Sequence, residues 1–364
     1  MKPIESWWTF PGFRLEHLAT GLDKPVNIAP VPNPGKRPGD PLLYVTELYG
    51  RVRVVTNDCQ VITYAEGLLN YRPDFILPGS GESGVMGICV ETQSGDLFIS
   101  MLYKDGNDFK AKVVRTKSRD GLRMESMAAV IEGIPSVLGA HQIHAVTIGL
   151  DGKLYVNVGD GMKRSEVAQD DKDLRGKVLR MNLDGSIPSD NPDPESPVFA
   201  KGLRSPFGAT WRKSDSSLYI SDNGPRTYDR VARIQAGGNY GWPMDMKQNS
   251  LFWWTFTQAP TALAFMQDGQ FPQEFHDHLF VVLAGPARYR APSMKGKKIV
   301  KLELDRDGSG IRSYDEFVAY TGEGIGMPVG MAFGRDGMYF TDLHGEGSVY
   351  GAEPQGNIFV VRPE

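Results

Sequence analysis

The stretch HQIHAVTIGLDGKLYVNVGD, His141 to Asp160, reads as two strands around an Asp-Gly-Lys turn. Antiparallel strands joined by a tight turn return the chain to the edge it left. His141 stands just before the first strand and Asp160 just after the second. An imidazole and a carboxylate are therefore expected to meet at one end of this hairpin. The same strand–turn–strand unit, without the histidine, recurs along the chain. An apolar-aromatic-apolar triplet marks its second strand at Leu43-Tyr44-Val45, Leu97-Phe98-Ile99, Leu154-Tyr155-Val156, Leu218-Tyr219-Ile220, Leu279-Phe280-Val281 and Met338-Tyr339-Phe340. The triplets lie roughly 54 to 64 residues apart, a period that belongs to propellers and other repeat arrays.

Third strands are expected at 51–55, 112–116, 176–182, 231–234, 298–304 and 357–361. First strands are expected at 25–30, 84–90, 143–148, 207–211, 262–266 and 329–333. Continuous apolar runs rather than strict alternation mean strands covered on both faces, as in radially stacked sheets. The reading is an all-β, six-bladed β-propeller of four-stranded antiparallel blades over residues 1–364. A β-sandwich leaves the six copies unexplained. Ring closure is expected to pair 13–18 with the C-terminal blade, hiding the free edges.

Composition agrees. The 364 residues include 42 Gly and 25 Pro, and no long apolar run, which suits short strands joined by turns and excludes a membrane-spanning helix. A net charge of −4 without a basic tract argues against nucleic-acid binding. The two cysteines, Cys59 and Cys89, are either buried thiols or one bridge between neighbouring strands, and cannot form a disulfide framework. The start, MKPIESWWTFPGF, has no apolar signal-peptide core. The protein is then cytoplasmic, or it is periplasmic or secreted and begins after a removed signal.

Four motifs in order carry a family resemblance. They are His141–Asp160 itself, LRGKVLRMNLDGSIPSDNP (174–192), GLRSPFGATW (202–211) and DNGPRTYDRVARIQAGGNYGWP (222–243). Together with FRLEHLATGLDKPV (13–26), they make the chain similar to the pyrroloquinoline-quinone-dependent soluble sugar dehydrogenases, the glucose, aldose-sugar and sorbosone dehydrogenase family. The resemblance implies hydride transfer from the anomeric or aldehyde carbon of a sugar to pyrroloquinoline quinone, with an external electron acceptor. It implies His141 as general base, a task suited to imidazole. Asp160 would orient it, as a buried carboxylate partner does. Arg204 would face the quinone oxygens with a permanent charge. Gly224 and Pro225 match the pair whose backbone carbonyls bind calcium, a cation that takes hard oxygen ligands.

By the same resemblance, the stretch Leu283 to Asp305 supplies cations for the cofactor's carboxylates: Arg288 or Arg290, and Lys295. Trp253 or Trp254 would stack on the cofactor ring, and Glu82 would sit beside the sugar. Asp342 and His344 end a strand at the matching edge and are placed at the channel mouth, whereas His144 is read as structural. The chain departs from the family at Arg230, where relatives carry an acidic residue for a second, structural calcium, at Ala232, and in APTA (259–262). A calcium-dependent lactonase and a propeller that has lost its cofactor are the competing readings. The sugar and the oligomeric state do not follow from the sequence.

Overall fold

The computed structural model describes residues 4–72, 82–137, 139–162, 164–286, 289–345 and 354–364. Six antiparallel sheets stand around an axis, with almost no helix. Blade one runs from Pro25–Pro30 to Val61–Ala65, blade two from Val85–Val90 to Ser126–Ser136, and blade three from Ile143–Ile148 to Val198–Lys201. Blade four runs from Pro206–Arg212 to Phe252–Trp254, and blade five from Pro260–Phe265 to Ile311–Tyr320. Blade six takes Pro328–Gly334, Gly337–Asp342 and Gly356–Pro363 from the C-terminal region. Its outermost strand is Phe13–Leu22, which pairs with Gly356–Pro363 in a register from Phe13 opposite Pro363 to Leu22 opposite Gly356. This is the expected closure. The sequence did not disclose a second tie: Trp7–Thr9 adds a fifth strand to blade five, opposite Val318 to Tyr320.

The expected first, second and third strands all form, most of them within two residues of the expected limits. Their apolar triplets are buried because each sheet is covered by a neighbour on both faces. Among the described residues, one apolar cluster fills each of the six blade–blade interfaces. The richest lies at the seam between blades five and six. There Trp7 meets Tyr320 and Phe340 edge-on at 5.1 and 5.3 Å, and Phe13 meets Phe271 and Phe317 at 4.7 and 4.9 Å. Each such aromatic pair adds about 0.5–1.5 kcal/mol to the burial of its surface. Cys59 is exposed and Cys89 half-buried, and both are free thiols, so the bridge considered above is not made and Cys59 is not a buried thiol.

One device repeats at the axis. Every first strand slips register against its second strand near its start: at Pro25/Asn27, Val85/Ile88, Ile143/Val146, Pro206/Ala209, Pro260/Ala262 and Pro328/Met331. Bulges re-aim side chains and leave a backbone group to satisfy. A hydroxyl from the second strand does so. Thr46, Ser100, Ser221 and Thr341 accept the N–H of Asn27, Gly87, Gly208 and Gly330 at 2.7–3.1 Å. Some then reach the next blade: Thr46 donates to the Met86 carbonyl and Ser100 to that of His144. The blades are thus hooped together around the channel, and the bulges shape one mouth of it.

Candidate active site

At that mouth lies a cavity of about 180 Å³ lined by residues from around the ring, among them Glu82, His141, Arg204, Asn223, Thr257 and Leu343. The hairpin contributes its most reactive group. His141 has a left-handed backbone, φ 59°, a conformation that non-glycine residues keep only where their surroundings over-determine it. Here Glu82 accepts its N–H, and its carbonyl accepts the Gly161 N–H at 3.0 Å. Gly159 must be glycine, because a Cβ there would stand 2.4 Å from the His141 carbonyl oxygen.

The His141 Nδ1 lies 2.6 Å from Asp160 Oδ1. Asp160 also accepts the Met162 N–H at 2.9 Å and the indole N–H of Trp242 at 2.8 Å. Burial works against ionisation of Asp160, but its bonds to His141, Met162 and Trp242 outweigh it and hold the carboxyl below the usual range. An ionised Asp160 accepts and does not donate, so the imidazole proton sits on Nδ1. Nε2 is left as a lone-pair acceptor on a side chain that lines the cavity.

Arg204 stands beside this pair. Its Nη1 donates to the carbonyls of Asn223 and Gly224 at 2.9 and 2.8 Å, and its guanidinium lies 5.5 Å from the Trp242 ring centre. Burial lowers its pKa, with Asp160 and Asp222 opposing, and an arginine so placed keeps its charge. Two further carboxylates position the backbone. Asp222 accepts the Ser205 N–H at 2.7 Å. Asp229 accepts from Gly224, Gln258, Ala259 and Thr257 at 2.6–3.0 Å, tying the Gly224-Pro225 turn to the Thr257 wall. Burial nonetheless pushes the Asp229 carboxyl up.

Arg230, the departure noted in the sequence, is fully buried. Its guanidinium donates to the carbonyls of Tyr240, Met246, Gln248 and Gly202 and to Asp222 Oδ2, at 2.6–3.3 Å. A permanent cation thus fills an oxygen cage directly behind the site. The backbone N–H of Trp242 donates to the Gly202 carbonyl, so the cage also fixes the residue whose indole orients Asp160.

The structure therefore brings Glu82, His141, Asp160, Arg204 and Gly224 together. Glu82 lines the cavity but is committed to the His141 N–H, and lies 3.3 Å from His144 Nε2. His144 is buried and stacks on Phe207 at 3.8 Å. Trp254 does not reach the cavity: it sits in the outermost strand of blade four, packed on Phe252 with its N–H toward Tyr314. Trp253 in the same strand is exposed, as are Arg290 and Lys295 on the blade-five loop, and none of the three lines the cavity. Arg288 lies outside the described residues. Asp342 is buried and bonded to the Met327 N–H at 2.8 Å, and His344 is buried and does not line the cavity, although its sequence neighbour Leu343 does.

Trp242 was missed as a site residue although its motif was legible. Nothing local in the sequence ties it to a carboxylate 82 positions earlier. Among the described residues no three His, Cys, Asp or Glu side chains converge as a metal cluster, and no helix is long and apolar enough to cross a membrane.

Comparison with known proteins gives a consistent result. A sequence model described as Glucose / Sorbosone dehydrogenase matches residues 22–316. Quinoprotein glucose dehydrogenase B of Acinetobacter calcoaceticus is 30% identical over 205 residues, 47% of this chain and 42% of that protein. Aldose sugar dehydrogenase YliI of Escherichia coli is 27% identical over 178 residues, 42% of this chain and 47% of that protein. The matches thus span less than half the length of these relatives. Among solved structures, an oxidoreductase (glucose dehydrogenase) from Thermus thermophilus superposes with a TM-score of 0.75 at 25% identity, covering 96% of this chain and all of that one. The PQQ-bound aldose sugar dehydrogenase of Streptomyces coelicolor shares the fold, with a TM-score of 0.71 at 22% identity over 98% of this chain and all of that one.

Proposed function

The chain belongs to the glucose / sorbosone dehydrogenase family, and on that premise we propose that it oxidises a sugar at its anomeric or aldehyde carbon, with pyrroloquinoline quinone and calcium as cofactors and His141 as the base. The observation that carries this reading is the His141–Asp160 pair, whose remaining ring nitrogen, Nε2, belongs to a cavity-lining side chain.

The residues present fit the cofactors. Among the described residues, the side-chain oxygen of Asn223 is buried without a hydrogen-bond partner beside the cavity. It adjoins Gly224, whose carbonyl keeps a lone pair beyond the one Arg204 uses. Asn223, Gly224 and Pro225 together offer neutral oxygens of the kind calcium accepts, leaving room for an anionic ligand. When bound, the quinone supplies the two-electron hydride acceptor and calcium the Lewis acid.

The chain's own residues do the rest. His141 Nε2 takes the substrate hydroxyl proton. Asp160 holds Nδ1–H and stabilises the imidazolium that results. Trp242 and the Met162 N–H fix Asp160 in turn. Arg204 sets a permanent positive charge at the cavity wall, where negative charge develops. The apolar collar of Val26, Met327, Val329 and Leu343 keeps water from the reacting groups. An external electron acceptor completes the turnover, and the family resemblance favours a periplasmic or secreted setting.

The test adds the quinone and calcium to the apo protein and follows dye reduction with a panel of aldoses. Turnover is expected, and His141→Ala should lower it about 10²–10⁴-fold while the quinone still binds. Lactone hydrolysis without quinone would overturn the reading. That alternative needs acidic side chains converging on a metal. Among the described residues Glu82 is the one carboxylate in the cavity lining, and it is held by His141.

A further inference from the structure

The register slips near the axis also build the floor of the cavity. In blades one to six, the first residue inside the slip is Val26, Met86, His144, Phe207, Thr261 and Val329. Val26, Phe207, Thr261 and Val329 line the cavity, and Met86 packs in one apolar cluster with Val26 and Val329. His144 is the one titratable side chain among the six. It is 1% exposed and stacks on Phe207 with ring centres 3.8 Å apart, so it belongs to the floor, one layer behind the lining. Its backbone is pinned as well. Ser100 donates its hydroxyl to the His144 carbonyl, and Gly87 passes so close that a Cβ there would stand 2.3 Å from that oxygen.

Packing alone does not account for a histidine at this place. Four other blades put an apolar side chain there, and in the fifth the Thr261 hydroxyl donates to the Val329 carbonyl at 2.8 Å. Among the described residues, both ring nitrogens of His144 are buried without a hydrogen-bond partner. That state is costly, and a hydrocarbon side chain of similar size would avoid the cost. The group beside the ring is Glu82, whose Oε2 lies 3.3 Å from Nε2, an ion-pair distance without the alignment of a hydrogen bond. Active-site contacts of this kind are often long before substrate arrives and tighten in the complex.

Glu82 is held from several sides. Its Oε2 accepts the backbone N–H of His141, and the hydroxyl of its neighbour Ser83 both donates to the Gly139 carbonyl and accepts the Gly139 N–H at 2.9 Å. Both contacts of the carboxylate use Oε2, which leaves Oε1 as an acceptor on a side chain that lines the cavity. We propose that His144 is a positioning residue that acts through Glu82. A sugar hydroxyl other than the one His141 deprotonates seats on Oε1, and the His144 Nε2–H closes on Oε2. The carboxylate is then fixed between the imidazole, the His141 N–H and the substrate. In either charge state the ring has an N–H to give. The sugar rests on the function proposed above; the pairing of His144 with Glu82 does not.

Two measurements on the whole protein test this. The first is nitrogen NMR of the apo protein with isotope-labelled histidine. His144 should carry a proton on Nε2, and its ring signals should change in Glu82→Gln. A bare Nε2, or signals that ignore Glu82, would overturn the pairing. The second is steady-state kinetics with quinone, calcium and an aldose. His144→Phe keeps the stack on Phe207 and removes both nitrogens. It should raise KM about tenfold or more, with kcat within about threefold of the parent, the mark of lost substrate binding. His144→Gln restores an N–H and should recover most of that loss. A fall in kcat at constant KM, or a glutamine variant no better than the phenylalanine one, would reduce His144 to packing. Should His144→Phe fail to fold, His144→Leu takes its place, and the Nε2 proton of the parent stands as an independent measure. Turnover with a His144 that ignores Glu82 would overturn the pairing and leave the dehydrogenase reading intact. A paired His144 in a protein that oxidises no aldose would keep the pairing and overturn that reading.

Discussion

The two sides of the cavity are built on opposite principles. Blades three and four meet it with a polar wall whose titratable groups are held in place, His141 on Asp160 and Glu82, Asp160 on Trp242, Arg204 on two carbonyls, while the Asn223 side-chain oxygen and the Ser205 hydroxyl are left open among the described residues. Blades five, six and one meet it with aliphatic side chains, Val26, Ala284, Met327, Val329 and Leu343. The first wall needs nothing further to hold its geometry. The second makes few directed contacts and acts by shape and by keeping water out.

The contrast can be broken at either wall. The largest effect is expected from Asp160→Asn, which removes the charge behind the imidazole: kcat should fall about 10³–10⁴-fold with quinone affinity nearly unchanged, as steady-state kinetics and a binding titration would show. A parallel loss of affinity would mean that the two walls are not separable. Next, Arg230→Met leaves Asp222 buried without its cation and should cost about 3–5 kcal/mol of stability in denaturant unfolding. A near-neutral result would show that the cage is not what stiffens the first wall.

On the second wall the expectation concerns pH. Burial lowers Lys297 from 10.5 to about 8. Between those values the unfolded chain holds a proton that the folded one has lost, so stability rises with pH from about 8 to 10.5. Lys177, bonded to the carbonyls of Val167, Ala168 and Arg175, is likewise lowered to about 8 and contributes in the same sense. Lys297→Met should therefore remove part of that rise, on the order of 1–3 kcal/mol, and raise stability at neutral pH. An unchanged pH profile of chemical denaturation would place Lys297 in solvent contact. The smallest effect belongs to Trp242→Phe, which keeps the ring under Arg204 and removes one hydrogen bond from Asp160. About a tenfold loss in kcat is expected, with the acid limb of the rate profile shifted.

Much of this was legible in the chain. The apolar triplets disclose the second strands because those strands are covered on both faces, and the first and third strands follow from them. The outermost strands escaped for the opposite reason. Ser126–Ser136 is largely exposed, Phe252–Trp254 has only three residues, and neither carries the triplet. His141, Asp160 and Arg204 were legible because hairpin geometry and motif order bring them to one mouth. Trp242 and Asp160 meet through the ring, across a distance no local pattern encodes. The basic residues differ in burial. Arg290 and Lys295 lie in a charged loop near the expected place, yet water claims them. Lys24 and Lys297 look like ordinary surface lysines in sequence, and only the neighbouring blades bury them.

The N-terminal strands have a mechanical consequence. In blade six, Phe13 lies opposite Pro363, so the N-terminal and C-terminal segments leave that strand pair at the same end. Tension applied between the termini would not shear the closing pair but unzip it one bond at a time, a weak direction for an antiparallel ladder. Trp7–Thr9, stitched to blade five, stands in the line of that force and must tear free first. Three residues thus act as a fuse: while they hold, a pull on the N-terminal segment does not reach the strand that keeps the ring shut.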